Sequence, residues 1–458
     1  MIPMTLAEVA AAIGGTLHGA DGELVIDAVV TDSRTAAAGG LFIAVVGQTH
    51  DGHDHVRAAV AAGCTAAVVS RPVDAPHILV DDTVGATGRL ARAVVDRCPG
   101  LRIVAVTGSS GKTSTKDLLR VVLTHFGPTV APQGSFNNEL GLPRTVFEVT
   151  RETRFLVSEM GARGSGHIRY LCGITPPHAA VLLNVGQAHL SEFGDQDGVA
   201  RAKAEIVTGL RPDGVAVLNA DDPRVLAAAG LAPGRVVTFG QAPTADVRIT
   251  ALDLEQGRPV VTLRHTGTSV TVRPALHGEH QGRNVAAAVA AAVALGLDFA
   301  QAALSLQGAA LDSRWRMEVR ETPDGVTVIN DAYNANPESM SAGLRALAEM
   351  GRGRRTWAVL GEMRELGPTS TAEHDAIGRL CVRLNISRLI AVGPGARPIH
   401  MGAAHEGSWG EESMAVADVA EALAVLREQV RPGDVVLVKA SRAEGLERVA
   451  AGLLGEAQ

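Results

Sequence analysis

The stretch LRIVAVTGSSGKTST, residues 101–115, decides the fold. Ile103 to Val106 form a short aliphatic run that ends in a glycine-rich turn. Lys112 and Thr113 then open a helical pattern whose apolar stripe is Leu118, Leu119, Val122 and Leu123. That order reads as buried strand, phosphate loop, helix. Glycine lets backbone N–H groups turn inward, and the helix N-terminus adds its positive end. Gly108, Ser109, Ser110, Gly111, Lys112, Thr113 and Ser114 are therefore the expected nucleotide contacts. Lys112 would reach a terminal phosphate and Thr113 a magnesium ion. The spacing is shorter than the full Walker form, because Val106 and not a glycine stands four residues before Ser110.

Working outward, 458 residues suggest about three domains. Apolar residues make up 46% of the chain and aromatic ones only 3%, which suits tightly packed α/β layers. Lys and Arg total 42 against 49 Asp and Glu, so wholesale binding to nucleic acid or an anionic membrane is not expected. Any polyanion must be held locally. Cys64, Cys98, Cys172 and Cys381 are scattered without a CxxC pair and read as free thiols of a reducing compartment. The start, MIPMTLAEVA, has no basic export region. Val285 to Leu297 is apolar but too short to span a bilayer. The expectation is a cytoplasmic protein without membrane insertion.

Residues 1–98 read as a small α/β domain. Thr5 and Glu8 form a capping box before a helix over 6–13. Strands are expected at 24–30, 39–47 and 77–80, and a helix from Asp82 or Thr83 toward Cys98. Asp32, Ser33 and Arg34 follow a strand end, where α/β folds tend to place ligands, although a plain capping turn explains them equally. His50, His53 and His55 read as one hydrated loop, since their spacing alone builds no closed metal site.

Residues 99–311 form the expected nucleotide domain. Asn137 and Asn138 suit either a ligand or a local Asx turn. Glu159 ends the strand of FLVSE, on the rim that faces a phosphate loop, where it could share magnesium with Thr113. His189 follows the next strand exit, and Lys203 sits on the helix about 196–210. His280 and Asn284 share one helix face if that helix starts early enough. Residues 312–458 alternate again between strand and helix. Their polar strand exits are Asp331, Tyr333, Asn334 and Asn336, then Lys439, Ser441 and Arg442. Helices are expected at 339–350, 371–384 and 415–429.

The stretches TDSR, DGHDH, TGSSGKTST, FNNELGLP, SEMGA, NVGQAHL, ARAKAEI, DAYNANPESM, LGEMRELG and VLVKASR resemble the Mur ligases over essentially the whole chain. DAYNANP with LGEMRELG is most similar to the branch that adds D-alanyl-D-alanine to UDP-N-acetylmuramoyl-tripeptide. The resemblance implies three domains: a small N-terminal α/β domain, a central P-loop doubly wound sheet and a C-terminal Rossmann-like domain. It implies ATP and two magnesium ions, with Thr113, Glu159 and His189 near the metals, and a monomer as the working unit. Lys203 resembles the family's N-carboxylated lysine, an anion in place of an ammonium. Lys112, Lys203, His189 and Asp331 are the implied catalytic set. Asn284, Arg314, Asp331 and Tyr333 resemble nucleotide contacts. Asp32, Ser33 and Arg34 resemble the uridine-diphosphate site, and Asn137, Asn138, Asn334, Asn336, Lys439, Ser441 and Arg442 complete the substrate set. Two departures stand out: Glu279 in GEHQ, and SRW at 313–315 where a GR pair is usual. The implied alternative is another ligase of the same plan, or a folylpolyglutamate synthase. A nucleotide-controlled scaffold is a different class, disfavoured by polar strand exits in all three segments.

Overall fold

A computed structural model describes residues 1–47, 49–186, 193–407, 410 and 412–456. The phosphate-loop strand, Arg102–Thr107, lies inside a nine-stranded sheet. It pairs in parallel with Phe155–Glu159 on one side and Ala179–Leu182 on the other. Glu159 stands opposite Val106 and Leu182 opposite Thr107, so the three strand exits share one rim. The chain visits the Phe155–Glu159 side first and then crosses to Ala179–Leu182, which makes the phosphate-loop strand a topological switch point. Val215–Asn219, Val236–Gly240 and Val247–Glu255 extend the parallel sheet. Arg258–His265 and Thr268–Val272 close it as antiparallel strands.

Both faces of this sheet are covered, as a parallel sheet requires. The helices Lys112–Phe126 and His280–Ala294 lie on one face. Their core joins Leu118, Leu119, Val122 and Leu123 to the buried alanines 286–288 and 290–292. Small side chains let that helix lie close to the sheet. It does start at His280, which puts His280 and Asn284 one turn apart. The opposite face packs against Gly141–Val146, His167–Ile174 and Gln196–Thr208.

A five-stranded N-terminal sheet draws on residues 16–79, and a six-stranded C-terminal sheet on residues 318–439. Helices Leu6–Ile13 and Thr83–Asp96 of the first unit share one apolar cluster with Leu142, Ile168 and Leu171 of the second. In the last unit Val435–Lys439 lies between Thr327–Asn330 and Thr356–Leu360, all parallel. This register puts Lys439 next to the exit at Asp331.

Several boundaries differ from the expected ones. Residues 24–30 are two short strands, because Val25–Ile26 pairs with Met4–Thr5 and Ala28–Val30 joins the N-terminal sheet. The helix expected at 415–429 starts only at Val419, where Asp418 caps Glu421 N–H, and Ser413–Val416 is a strand. A helix at Arg397–Glu406 has too few apolar positions to be read in advance. It packs by close backbone approach: a Cβ on Gly378 would lie 1.9 Å from the Ile399 carbonyl oxygen, and one on Gly402 2.1 Å from that of Asp375. His53 is buried, not hydrated, with Nδ1 against Asp51 at 2.6 Å and Nε2 accepting from Ser70 N–H at 2.9 Å. The four cysteines are free thiols. Among the described residues no helix is long and apolar enough to cross a membrane.

His178 joins two strands at their entry ends, on the edge of the sheet opposite the rim. Its N–H donates to the Ile103 carbonyl at 2.8 Å, and its Nδ1 accepts from Ile103 N–H at 3.0 Å. Burial, helped by Arg211 and Arg102, pushes this imidazole down to about 4 from an ordinary 6.5. The unfolded chain therefore binds the proton first. The stability from this neutral ring should be whole above pH 6.5 and fall as pH drops toward 4. Denaturant titrations across that window should show a steeper loss for the parent than for His178→Asn.

Candidate functional site

Gly111 begins the site. It is the residue before the helix Lys112–Phe126 and takes φ +82°, a left-handed turn that favours glycine. A Cβ there would lie 2.7 Å from Asn284 Oδ1, so the alanine-rich helix presses against the phosphate loop. Asn184 clamps the other side: its Oδ1 accepts from Ser110 N–H at 2.9 Å and its Nδ2 donates to the Ser110 carbonyl at 3.1 Å. Ser109 Oγ accepts from Gly186 N–H at 2.8 Å. Lys112 Nζ folds back on the Gly108 carbonyl at 2.8 Å. Desolvation in the cleft holds its ammonium below the ordinary lysine range, against an opposing pull from Glu159.

Four oxygen-bearing side chains meet beside that lysine. Thr113 Oγ1 lies 2.9 Å from Ser135 Oγ and donates to Glu159 Oε1 at 3.3 Å. Asn137 Nδ2 donates to the same Glu159 oxygen at 2.8 Å, so this amide orients the carboxylate. Glu159 is fully buried, and its Oε2 has no hydrogen-bond partner among the described residues. A buried carboxylate oxygen left open beside two hydroxyls fits a hard, oxygen-seeking dication such as magnesium. Lys203 also lines the cleft, fully desolvated, and burial together with the nearby Lys112 holds it well below the ordinary lysine value. Its neighbour Glu205 points away, accepting from Gly166 N–H at 2.6 Å and Arg169 N–H at 3.1 Å to cap the helix His167–Ile174.

The C-terminal unit builds the opposite wall. Lys439 Nζ donates to Asp331 Oδ2 at 2.5 Å and to the Asn334 carbonyl at 3.0 Å. Asp331 Oδ1 accepts from Met317 N–H at 3.1 Å. Both Asp331 oxygens are thus occupied, which suits a positioning carboxylate better than a base. Asn336 caps the helix Pro337–Met350 through Ser339 N–H at 2.8 Å, and its Nδ2 reaches the Ser109 carbonyl at 3.2 Å. One amide therefore starts a helix and touches the phosphate loop of the facing unit. Ser441 Oγ accepts from Arg364 N–H at 2.9 Å. Together the two walls enclose a cavity of about 570 Å³.

The structure gathers most of the expected residues here, but not all. Ser109 to Ser114, Asn137, Asn138, Glu159, Lys203, Asn284, Asp331, Tyr333, Asn334, Asn336, Lys439, Ser441 and Arg442 line the cleft. Asn138 also caps Gly141 N–H at 2.8 Å, so the Asx reading of that residue holds as well. His189 lies outside the described residues. Asp32, Ser33 and Arg34 sit at the surface of the N-terminal unit, away from this cleft. There Asp32 caps Arg34 N–H at 2.9 Å and pairs with its guanidinium at 2.7 Å.

Arg314 is a correction. It lines a separate cavity with Trp315 and Glu318. Arg316, two residues on, is the arginine that enters the cleft. Its Nη2 donates to Thr113 Oγ1 at 3.2 Å and Ser135 Oγ at 3.3 Å, and its guanidinium lies 4.1 Å from the Tyr333 ring centroid. Trp315 at φ +59° and Met317 at φ +51° flank it, a left-handed conformation that costs energy for both residues. Arg442 over the Trp315 ring at 4.3 Å and Asp331 on Met317 N–H hold that shape. The charged run SRWRMEVR, residues 313–320, gives no local sign of which arginine turns inward; only the backbone twist decides. Asn184, Gln281 and Ser135 also went unassigned in the sequence, though Asn184 sits at a polar strand exit, the one signal that could have found it.

Comparison with known proteins agrees with this architecture. Residues 25–95 match the model described as Mur ligase family, catalytic domain; residues 106–292 match the Mur ligase middle domain; residues 315–442 match the Mur ligase, glutamate ligase domain. A UDP-N-acetylmuramoyl-tripeptide--D-alanyl-D-alanine ligase of Mycobacterium bovis is 45% identical, covering 100% of this chain and 98% of that protein. The protein of the same name from Escherichia coli is 35% identical, over 99% of both. The crystal structure of MurF from Acinetobacter baumannii superposes with a TM-score of 0.90 at 33% identity, over 99% of both chains. Folylpolyglutamate synthase of Mycobacterium tuberculosis shares the fold alone, with a TM-score of 0.64 at 19% identity over 81% of this chain and 93% of that one. With three models tiling residues 25–442 and relatives aligned end to end, the chain belongs to the Mur ligase family.

Proposed function

We propose that this chain joins D-alanyl-D-alanine to UDP-N-acetylmuramoyl-tripeptide in an ATP-driven ligation of peptidoglycan precursor synthesis. The observation that carries the reading is the convergence of Lys112, Thr113, Glu159 and Arg316, from two units, on one cleft. A cation-rich cleft with an open carboxylate oxygen suits phosphoryl transfer to a carboxylate. Full-length similarity to ligases of that name selects the substrates.

In the reaction so read, a carboxylate oxygen of the tripeptide attacks the γ-phosphorus of ATP, and ADP leaves. The amine of D-alanyl-D-alanine then attacks the acyl carbon. The carbon–oxygen bond to phosphate breaks, and the amine gives up a proton. Magnesium at Thr113 and Glu159, and at His189, would supply the positive charge that lets carboxylate and triphosphate approach. Lys112 and Arg316 act on the transferred phosphoryl group, where negative charge is concentrated. Lys203 is read as N-carboxylated, and its depressed pKa supports this, since only a neutral amine adds carbon dioxide. Asn284, Asp331 and Tyr333 hold the nucleoside side, and the unit 1–98 anchors the UDP portion through Asp32, Ser33 and Arg34. Enclosure between the units 99–311 and 312–458 keeps water from the acyl phosphate. That one chain contributes both walls of the cleft supports a monomer as the working unit, and the ATP and UDP-linked substrate so read support a cytoplasmic location.

Purified protein given ATP, magnesium, UDP-N-acetylmuramoyl-tripeptide and D-alanyl-D-alanine should yield the pentapeptide product, with ADP and phosphate in equal amounts. Single amino acids or a folate in place of the dipeptide should yield none. ATP turnover indifferent to both peptide substrates would sink the ligase reading. Lys112→Ala should lower kcat by about 10²-fold or more, the scale of losing one preorganised charge at the reacting centre, and leave the UDP-substrate KM near parental. Arg316→Ala should behave alike, by at least ~10²-fold in kcat, whereas Arg314→Ala should stay within about twofold, as a surface substitution outside the cleft.

A further inference from the structure

The helix Lys112–Phe126 carries a second polar group one turn past the phosphate loop. Lys116 and Asp117 sit at positions i+4 from Lys112 and Thr113, hence on the same helix face. Both are 1% exposed. A lysine and an aspartate this deep in a core are rare, because the desolvation of each charge must be offset by well-made hydrogen bonds. Here every polar atom is used. Lys116 Nζ donates to Asp117 Oδ1, to the Pro132 carbonyl at 2.8 Å and to Ser313 Oγ at 3.1 Å. Asp117 Oδ2 accepts from Ser313 N–H at 3.0 Å.

Ser313 lies in the connection between the central sheet and the C-terminal one, nearly 200 residues away in sequence. Its hydroxyl is the group that Lys116 grips, and its N–H the one that Asp117 accepts. Three residues on, Arg316 turns back to Thr113 and Ser135. Two ties therefore close one ring. Lys116 and Asp117 bind Pro132 and Ser313, while Arg316 binds Ser135 and Thr113. Both ends of the ring lie on the 132–135 loop and the phosphate-loop helix.

We propose that the buried Lys116–Asp117 pair is a positioning device that registers Ser313 against the phosphate-loop helix and so sets Arg316 over the phosphate site. This rests on the role of Arg316 given above. A purely apolar joint would seal the interface equally well but would let the connection slide along the helix. Directional bonds to one N–H and one hydroxyl fix a single register.

The test is ligation kinetics on the full chain. Ser313→Ala should lower kcat five- to tenfold, with the UDP-substrate KM within twofold of parental and an unchanged melting temperature. Lys116→Met/Asp117→Leu, which removes both charges at similar volume, should lower kcat tenfold or more with the same KM. If that double variant fails to fold, Ser313→Ala decides alone. Asp312→Asn, in the exposed neighbouring pair with Arg120, should stay within twofold. In an Arg316→Ala background, Ser313→Ala should cost less than a further twofold, because the arginine it places is gone. Parental kcat in Ser313→Ala, or a full five- to tenfold further loss in the Arg316→Ala background, overturns the proposal. Parental kcat in Arg316→Ala overturns instead the role assigned to that arginine, and the two failures are thereby told apart.

Discussion

The site depends first on the shape of one short loop. Residues 108–111 must turn sharply between a buried strand and a helix, and glycine at 111 supplies the left-handed step. Three amides from elsewhere in the chain then surround that turn. Asn184 grips Ser110 from the adjacent strand exit, Asn284 presses on Gly111 from the alanine-rich helix, and Asn336 reaches Ser109 from the facing sheet. Amides suit this work because they donate and accept without adding charge next to the phosphate site. Each sits at an element end or on a face set by packing, so the cores on both sides of the sheet determine the loop indirectly.

Charge is the second constraint. The chain carries a net charge of -7, yet its cleft holds Lys112, Lys203, Arg316 and Lys439. These cations disfavour one another: Lys112 lowers the pKa of Lys203, and Arg316 opposes the charge on both Lys112 and Lys439. Lys439 is compensated by Asp331 at 2.5 Å. Among the described residues Lys112 has a carbonyl and, as its opposing charge, a carboxylate already shared by Thr113 and Asn137. A cleft so arranged favours an anionic occupant, and the burial of Lys203 and Lys439 makes each attraction larger.

Packing supplies the rigidity this arrangement needs. The parallel register of Arg102–Thr107 with its two neighbours places Glu159 and Asn184 on one rim, so a buried carboxylate and a loop clamp follow from strand pairing. The strained backbone at Trp315 and Met317 is the converse case. There the local conformation is unfavourable, and a stacked guanidinium and a carboxylate hold it in place. The cost falls where the arginine that enters the cleft is presented.

Much of this was legible in the residues themselves. The strand, turn and helix of 101–126 and the exit positions of Glu159 and Asp331 follow from short-range rules: periodicity and glycine turns. Other features were hidden because they depend on contacts made far away. The helix Arg397–Glu406 is held by glycine-mediated backbone contact, which leaves no apolar stripe to read. His53 looks like a surface residue until Ser70, 17 residues later, comes to meet it.

The choice between Arg314 and Arg316 shows the same division. By itself the sequence determined that a phosphate loop exists and that polar residues stand at strand exits, since both are properties of neighbouring residues. Only the tertiary structure decided which arginine completes the site and which amides hold the loop. Those outcomes depend on a backbone twist and on partners up to 227 residues apart, and no local rule carries that information.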